Sequence, residues 1–111
     1  MEANTTGGSN VAVGFQALQQ NTAGQQNVAI GYQALRANQS TGIVAVGPSA
    51  LASNTTAHGG TAVGNGALYN NTTGLLNTAV GNFAMLNMTT GIHNTAVGAS
   101  SMALNSTGSY N

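Results

Sequence analysis

Residues able to carry chemistry are scarce in this chain. Its only acid is Glu2, its only cation is Arg36, and its two imidazoles are His58 and His93. General acid–base catalysis needs titratable groups positioned around a substrate, and a single carboxylate near the amino terminus offers no acid–base pair. Serines are frequent, but none stands in the Gly-x-Ser-x-Gly sequence that presents a nucleophile on a sharp turn. We therefore expect a protein that is not an enzyme.

Metal and cofactor chemistry is equally poorly represented. The chain has no cysteine, which excludes disulfide bonds and thiolate metal ligands. The segment Gly-Asn-Gly at 64–66 is followed by no lysine, so it does not match a phosphate-binding loop. His58 and His93 belong to different copies of a repeat described below, and we interpret them as turn residues rather than as ligands of one metal ion. We expect no cofactor and no metal.

Composition excludes several classes of partner. Charged residues make up 2% of the chain, against about 25% in a typical soluble protein. Nucleic acids and anionic membrane surfaces are bound through clusters of lysine and arginine, which this sequence lacks. No apolar run approaches the roughly 20 residues of a membrane span, so we expect no membrane insertion. Residues 1–10 lack the basic and apolar regions of a signal peptide.

A short repeat runs through the chain, and its fold must position any functional residues. Asn-Thr-Ala-Val-Gly and its close variants occur six times, at 10–14, 27–31, 43–47, 60–64, 77–81 and 94–98. Their glycines are spaced by 17, 16, 17, 17 and 17 residues, and a fixed period of this kind indicates a repeat architecture. We divide the chain into a partial leading repeat, 1–9, and six full repeats: 10–26, 27–42, 43–59, 60–76, 77–93 and 94–111.

Each repeat contains two segments that favour β-strands. The first, such as 11–13, alternates β-branched residues with alanine and ends at a glycine. The second contains an Ala-Leu pair such as 17–18, and turns of the type Asn-Thr-Thr-Gly separate the segments. Two strands and two turns in one repeat form one coil of a parallel β-solenoid, an all-β fold. Six coils at about 4.8 Å each predict a rise of roughly 30 Å.

The repeat also predicts which side chains fill the core. We expect the large apolar residue of each segment to point into the coil. These residues are Val13, Ile30, Val46, Val63, Val80 and Val97 in the first segment, and Leu18, Leu35, Leu51, Leu68, Met85 and Met102 in the second. The central alanine of the motif never varies, which favours a place where backbones or neighbouring chains approach closely. These alanines are Ala12, Ala29, Ala45, Ala62, Ala79 and Ala96.

The core predicted in this way is thin, and small cores usually need staples or oligomerisation. Without disulfides or a metal, we expect the chain to associate with itself. Neither end of the array carries a capping sequence, which indicates a segment of a longer array or a unit that stacks end to end into filaments.

Paired threonines at the turns suggest a further alternative. They lie in one phase of the repeat, at Thr55, Thr56, Thr72, Thr73, Thr89 and Thr90. A regular threonine ladder on a β-solenoid is a known means of ordering water, so the sequence also allows an ice-binding protein. The competing interpretation is that threonine simply suits this turn.

The motif Asn-x-Ala-Val/Ile-Gly resembles the head repeats of trimeric autotransporter adhesins of the YadA type. The longer form read at 60–74 and 77–91 is similar to repeats of phage and viral tail-fibre proteins. The resemblance covers residues 4–111, although the adhesin units are usually shorter. It implies a left-handed parallel β-roll and a homotrimer. It also implies a location on an extracellular surface or a virion fibre, and a cell-surface or matrix receptor as partner. We therefore expect a structural fibre or adhesin-head segment.

Overall fold

A computed structural model describes residues 4–111, so Glu2 lies outside the described residues. Within this range the chain is all-β and has no helix. Its six strands form one parallel sheet in sequence order, and the chain makes about five turns of a β-solenoid. The strands are β1 (Val11–Val13), β2 (Val28–Ile30), β3 (Val44–Val46), β4 (Thr61–Val63), β5 (Thr78–Val80) and β6 (Thr95–Val97). The predicted fold class is confirmed.

Identical positions of successive repeats are stacked in register. Ala12 pairs with Ala29, and Ala62 pairs with Ala79. The 16-residue spacing leaves the register intact, because Ala29 pairs with Ala45 in the same way. The shortening therefore falls in a turn, where the strands are not disturbed. The molecule measures 35 × 20 × 16 Å, and its long dimension agrees with six stacked coils.

The second predicted strand of each repeat is wrong, because the Ala-Leu segments are turns. Leu18 has a φ of 50°, in the left-handed region, and Gln16 has a φ of 58°. Extended strands require negative φ, so a segment in which every second residue has a positive φ cannot form one. The segment still bonds to its neighbour: the Leu18 N–H donates to the Ala34 carbonyl oxygen at 3.1 Å. Leucine rarely adopts this conformation, and here the same φ recurs at this position in every repeat, from Leu18 to Met102.

The core prediction for the second segment is confirmed. Five side chains of that column are fully buried: Leu18, Leu35, Leu51, Leu68 and Met85. Met102, in the last repeat, is half-buried and packs against the same cluster. A second column of small residues, including Ala17 and Ala34, is buried beside it. One apolar column of large side chains thus fills the interior of the coil.

The core prediction for the first segment is wrong. Val13 is 57% exposed and Val97 is 71% exposed. None of the six residues in this column is fully buried: Ile30 and Val63 are also exposed, and Val46 and Val80 are half-buried. The reason is the pleat, which sends the first and third residues of a three-residue strand to one side and the central residue to the other.

The central alanine is the strand residue that points inward. Ala29, Ala45, Ala62 and Ala79 are completely buried, and they belong to the same cluster as the leucine column. The predicted close approach therefore occurs inside one chain, between the sheet and the opposing turn, rather than between chains. A coil of only 16 or 17 residues leaves room for a methyl group opposite leucine, which explains why alanine never varies. At the ends, Ala96 is 4% exposed and Ala12 is half-buried.

Asparagine side chains form hydrogen-bonded columns inside the turns. Asn38 Nδ2 donates to Asn21 Oδ1 at 3.3 Å, and Asn54 Nδ2 donates to Asn38 Oδ1 at 2.8 Å. All three residues are completely buried. The column is interrupted in the later repeats: Asn54 Oδ1 and Asn71 Oδ1 have no partner, and Met88 occupies the position in the fifth repeat. Buried amides need such partners, so the columns hold the register of the turns.

Candidate functional site: an association surface

The outward side of the sheet is a regular, exposed surface that we call the sheet face. It consists of the first and third residues of each strand. The first column holds Val11, Val28, Val44, Thr61, Thr78 and Thr95; the second holds Val13, Ile30, Val46, Val63, Val80 and Val97. From strand dimensions it is about 29 Å long and about 10 Å wide, on the order of 300 Å². An apolar patch of this size is comparable with the largest patch on a typical monomer, and such patches are often functional.

The sheet face carries no charge, and its polar atoms are few. The hydroxyls of Thr61, Thr78 and Thr95 make no hydrogen bond within residues 4–111. The remaining side chains are valine or isoleucine, which suit a pleated surface packed on one side. Such a face can exclude water against a complementary apolar surface without leaving buried charges.

Exposed apolar and aromatic residues border the strands in sequence, two residues after β1 and β2 on one flank and two residues before β5 and β6 on the other. On one flank Phe15 and Tyr32 stack with ring centroids 5.9 Å apart and an interplanar angle of 11°. Both rings are at least half exposed. On the other flank Leu76 is 50% exposed, and His93 stacks on Tyr110 at 5.1 Å. The aromatic flank lies near the first repeats and the other flank near the last.

The third residue of each strand, Val13 and its equivalents, was predicted as core, so sequence reasoning missed this surface. A signal was present: the first strand position changes from valine to threonine at Thr61, Thr78 and Thr95, whereas the central position stays alanine. A hydroxyl buried opposite leucine would lack a partner, so threonine at the first position indicates an outward direction. The third position then points outward as well.

The predicted threonine ladder lies at a turn about half a repeat from the sheet face. The Thr55 hydroxyl donates to the Thr72 carbonyl oxygen at 3.0 Å, and the Thr72 hydroxyl to the Thr89 carbonyl oxygen at 3.3 Å. The first threonine of each pair is thus bonded to the next coil. The hydroxyls of the second threonines, Thr56, Thr73 and Thr90, are exposed and have no partner within the described residues.

The two histidines are not brought together. His58 is exposed, and its Nδ1 contacts the hydroxyl of buried Ser40 in the preceding repeat. His93 lies two repeats further on, against Tyr110. Among residues 4–111 no group of three potential metal ligands is present, and no pocket is found. The described residues contain no aspartate or glutamate that could accompany the Ser40–His58 pair.

Known proteins add no further guide. Comparisons with protein-family models, curated proteins and solved structures find no match for this chain. Within residues 4–111 no helix is long and apolar enough to cross a membrane. The fold and its surface define a class, the β-solenoid repeat proteins.

Proposed function

We propose that this chain is a structural rod that associates with itself through the sheet face, as a segment of a fibre or adhesin head. The observation that carries the proposal is the outward direction of the valine column, which leaves Ile30 39% and Val63 36% exposed even in strands that are paired on both sides. Exposed apolar columns on a chain with a net charge near zero favour contact with an uncharged apolar surface. A second copy offers such a surface.

We propose three copies, in an arrangement that uses the flanks as well as the sheet face. A standard interface covers about 800 Å² on each partner, whereas the sheet face alone supplies on the order of 300 Å². In a closed ring of three, each copy meets two neighbours, and both flanks are covered together with the sheet face. The resemblance to trimeric adhesin heads supports the same number and a left-handed coil.

The role of such a rod is mechanical. Its inter-coil hydrogen bonds run along the long axis, as between Leu51 N–H and the Ala67 oxygen at 3.0 Å. A rod of this kind holds an attachment domain or receptor-binding tip away from its base. An extracellular surface or a virion fibre is the proposed location, with a cell-surface or matrix receptor as the final partner.

Native mass spectrometry over a range of concentrations, with electron microscopy, tests the proposal. We expect a closed trimer. A species that lengthens with concentration would support the filament alternative and contradict the closed trimer. A chain that stays monomeric at high concentration would overturn self-association in both forms.

The threonine turn supports a second candidate, adsorption to ice. The second threonine of the turn is present in each of the last four repeats, at Thr56, Thr73, Thr90 and Thr107. The hydroxyls of these four residues have no partner within the described residues. Inhibition of ice recrystallisation, lost in Thr73→Leu and kept in Thr61→Val, would support this candidate. Absence of inhibition at high protein concentration would exclude it.

A further inference from the structure

One asparagine of the chain combines a reactive sequence with an exposed position. Asn65 follows β4 and Gly64, and it is the only asparagine followed by glycine. The backbone nitrogen after an asparagine can attack the side-chain amide, and glycine hinders this attack least because it has no side chain. The Asn65 side chain is exposed and makes no hydrogen bond within residues 4–111. The electrophile is therefore accessible.

The nucleophile, by contrast, is held in place by the neighbouring coils. The Gly66 N–H donates to the Pro48 carbonyl oxygen at 2.9 Å, in the preceding repeat. The Asn65 carbonyl oxygen, on the same peptide group, accepts from the Phe83 N–H at 2.8 Å, in the following repeat. Gly66 is also buried. The peptide group between Asn65 and Gly66 is thus bonded on both sides, which opposes the rotation that an attack requires.

We propose that Asn65 is a site of spontaneous deamidation that the stacked coils protect until the repeat opens. When the Gly66 amide is released, hydroxide removes its proton and the nitrogen bonds to Cγ of Asn65. The side-chain nitrogen leaves as ammonia, and a succinimide ring forms. Water then adds to either ring carbonyl and opens the ring to aspartate or isoaspartate. The reaction consumes one water, releases one ammonia, and leaves a carboxylate that is ionised at neutral pH.

The new charge would lie at the border of the sheet face, two residues after Val63. In a chain with one acidic and one basic residue, it changes the net charge from 0 to about −1 at neutral pH. This consequence rests on the proposed function, because like charges on adjacent copies weaken association. Deamidation would then prevent a coil that has once opened from returning to the assembly unchanged.

Asn82 provides a matched control within the same chain. It occupies the same position one repeat later, is exposed, and is followed by Phe83 instead of glycine. The Phe83 N–H is bonded to the preceding repeat just as that of Gly66 is. The two sites differ chiefly in the side chain that follows the asparagine.

The test is peptide mapping by mass spectrometry, with detection of isoaspartate, after incubation in mildly alkaline buffer with and without urea. We expect Asn65 to convert at least about tenfold faster in urea than in the folded protein, because exchange-type chemistry requires local opening. Asn82 should remain an amide in both. Equal rates for Asn65 with and without urea, an unreacted Asn65 in urea, or equal conversion of Asn82 would overturn the proposal.

The effect on association is measured separately, by native mass spectrometry of Asn65→Asp and Asn65→Gln. We expect the aspartate variant to dissociate at about tenfold higher concentration than the glutamine variant, which keeps the amide. Equal dissociation would overturn the regulatory consequence. If the wild-type chain is monomeric, the proposed function fails, while the peptide mapping still decides the fate of Asn65.

Discussion

Gly64 and Gly81 approach each other so closely that a Cβ atom added to Gly64 would lie 2.4 Å from the Gly81 carbonyl oxygen. Gly64 also has a φ of 131°, which side chains rarely adopt. We expect Gly64→Ala to lower the free energy of unfolding by about 2 kcal/mol or more, because strain and a backbone clash add together. Gly8→Ala is the control, since its Cβ would meet nothing within 4 Å. Equal stability of both variants in urea unfolding would contradict this packing.

Because the interior of the coil is thin, we expect it not to accept a larger side chain at Ala62. This alanine is completely buried opposite the leucine column, so Ala62→Leu should destabilise the chain by about 1–3 kcal/mol or prevent folding. Thr72→Ala removes a single hydroxyl bond to the Thr89 carbonyl oxygen and should cost about 1 kcal/mol. Thermal and urea unfolding of the two variants measures the difference. A larger loss for the threonine variant would show that the alanine does not face a closed interior.

The asparagine column allows the same substitution, asparagine to methionine, to be compared in two different repeats. Asn38→Met removes bonds to Asn21, Ser40 and Asn54 and leaves buried polar atoms unpaired. We expect it to cost about 2–4 kcal/mol. Asn71→Met, next to natural Met88, removes one amide bond to Gly74 and an oxygen that already lacks a partner. Its cost should stay within about 1 kcal/mol. Equal losses in urea unfolding would mean that the column does not act through its hydrogen bonds.

Charges on the sheet face should separate association from folding. Val63→Lys with Val80→Lys places two cations in the outward column, where a single chain tolerates them but a second copy would have to desolvate them. We expect the association constant to fall by about tenfold or more, with little change in the circular dichroism of the dissociated chain. Thr73→Lys, on the exposed threonine turn, is the control and should associate normally. Unchanged association of the double variant would show that the interface does not include the sheet face.

The period of the sequence was sufficient to predict the solenoid and its register. Identical residues at a fixed spacing can satisfy their backbone groups by stacking, and the buried column from Leu18 to Met85 follows from that arrangement. The direction of the strands could not be predicted in the same way. A Val-Ala-Val pattern has the same period whichever side faces inward, and a change of face moves every side chain of the strand.

The conformational preferences of single residues also gave the wrong secondary structure for the Ala-Leu segments. Leucine carries no tendency toward positive φ, yet Leu18, Leu35, Leu51 and Leu68 all adopt values of 50–53°. Each of these turns is hydrogen-bonded to the next repeat, as from Leu18 N–H to the Ala34 carbonyl oxygen, so a contact a whole repeat away in sequence overrides the local preference. The candidate surface was missed for a related reason. The space inside the coil decides whether valine or alanine faces inward, and that space is determined by the whole coil and not by the strand sequence alone.

The strict pairing of each strand with the strand of the next repeat has a consequence for how the rod is formed and lost. β3 pairs only with β2 and β4, and no strand bonds to a distant repeat. Folding can therefore begin at any repeat and propagate in both directions, with one loop closed at each step. Under tension applied at its two ends, the same pairing lets coils detach one after another instead of all at once. The rod then extends in small increments and can rewind onto the coils that remain.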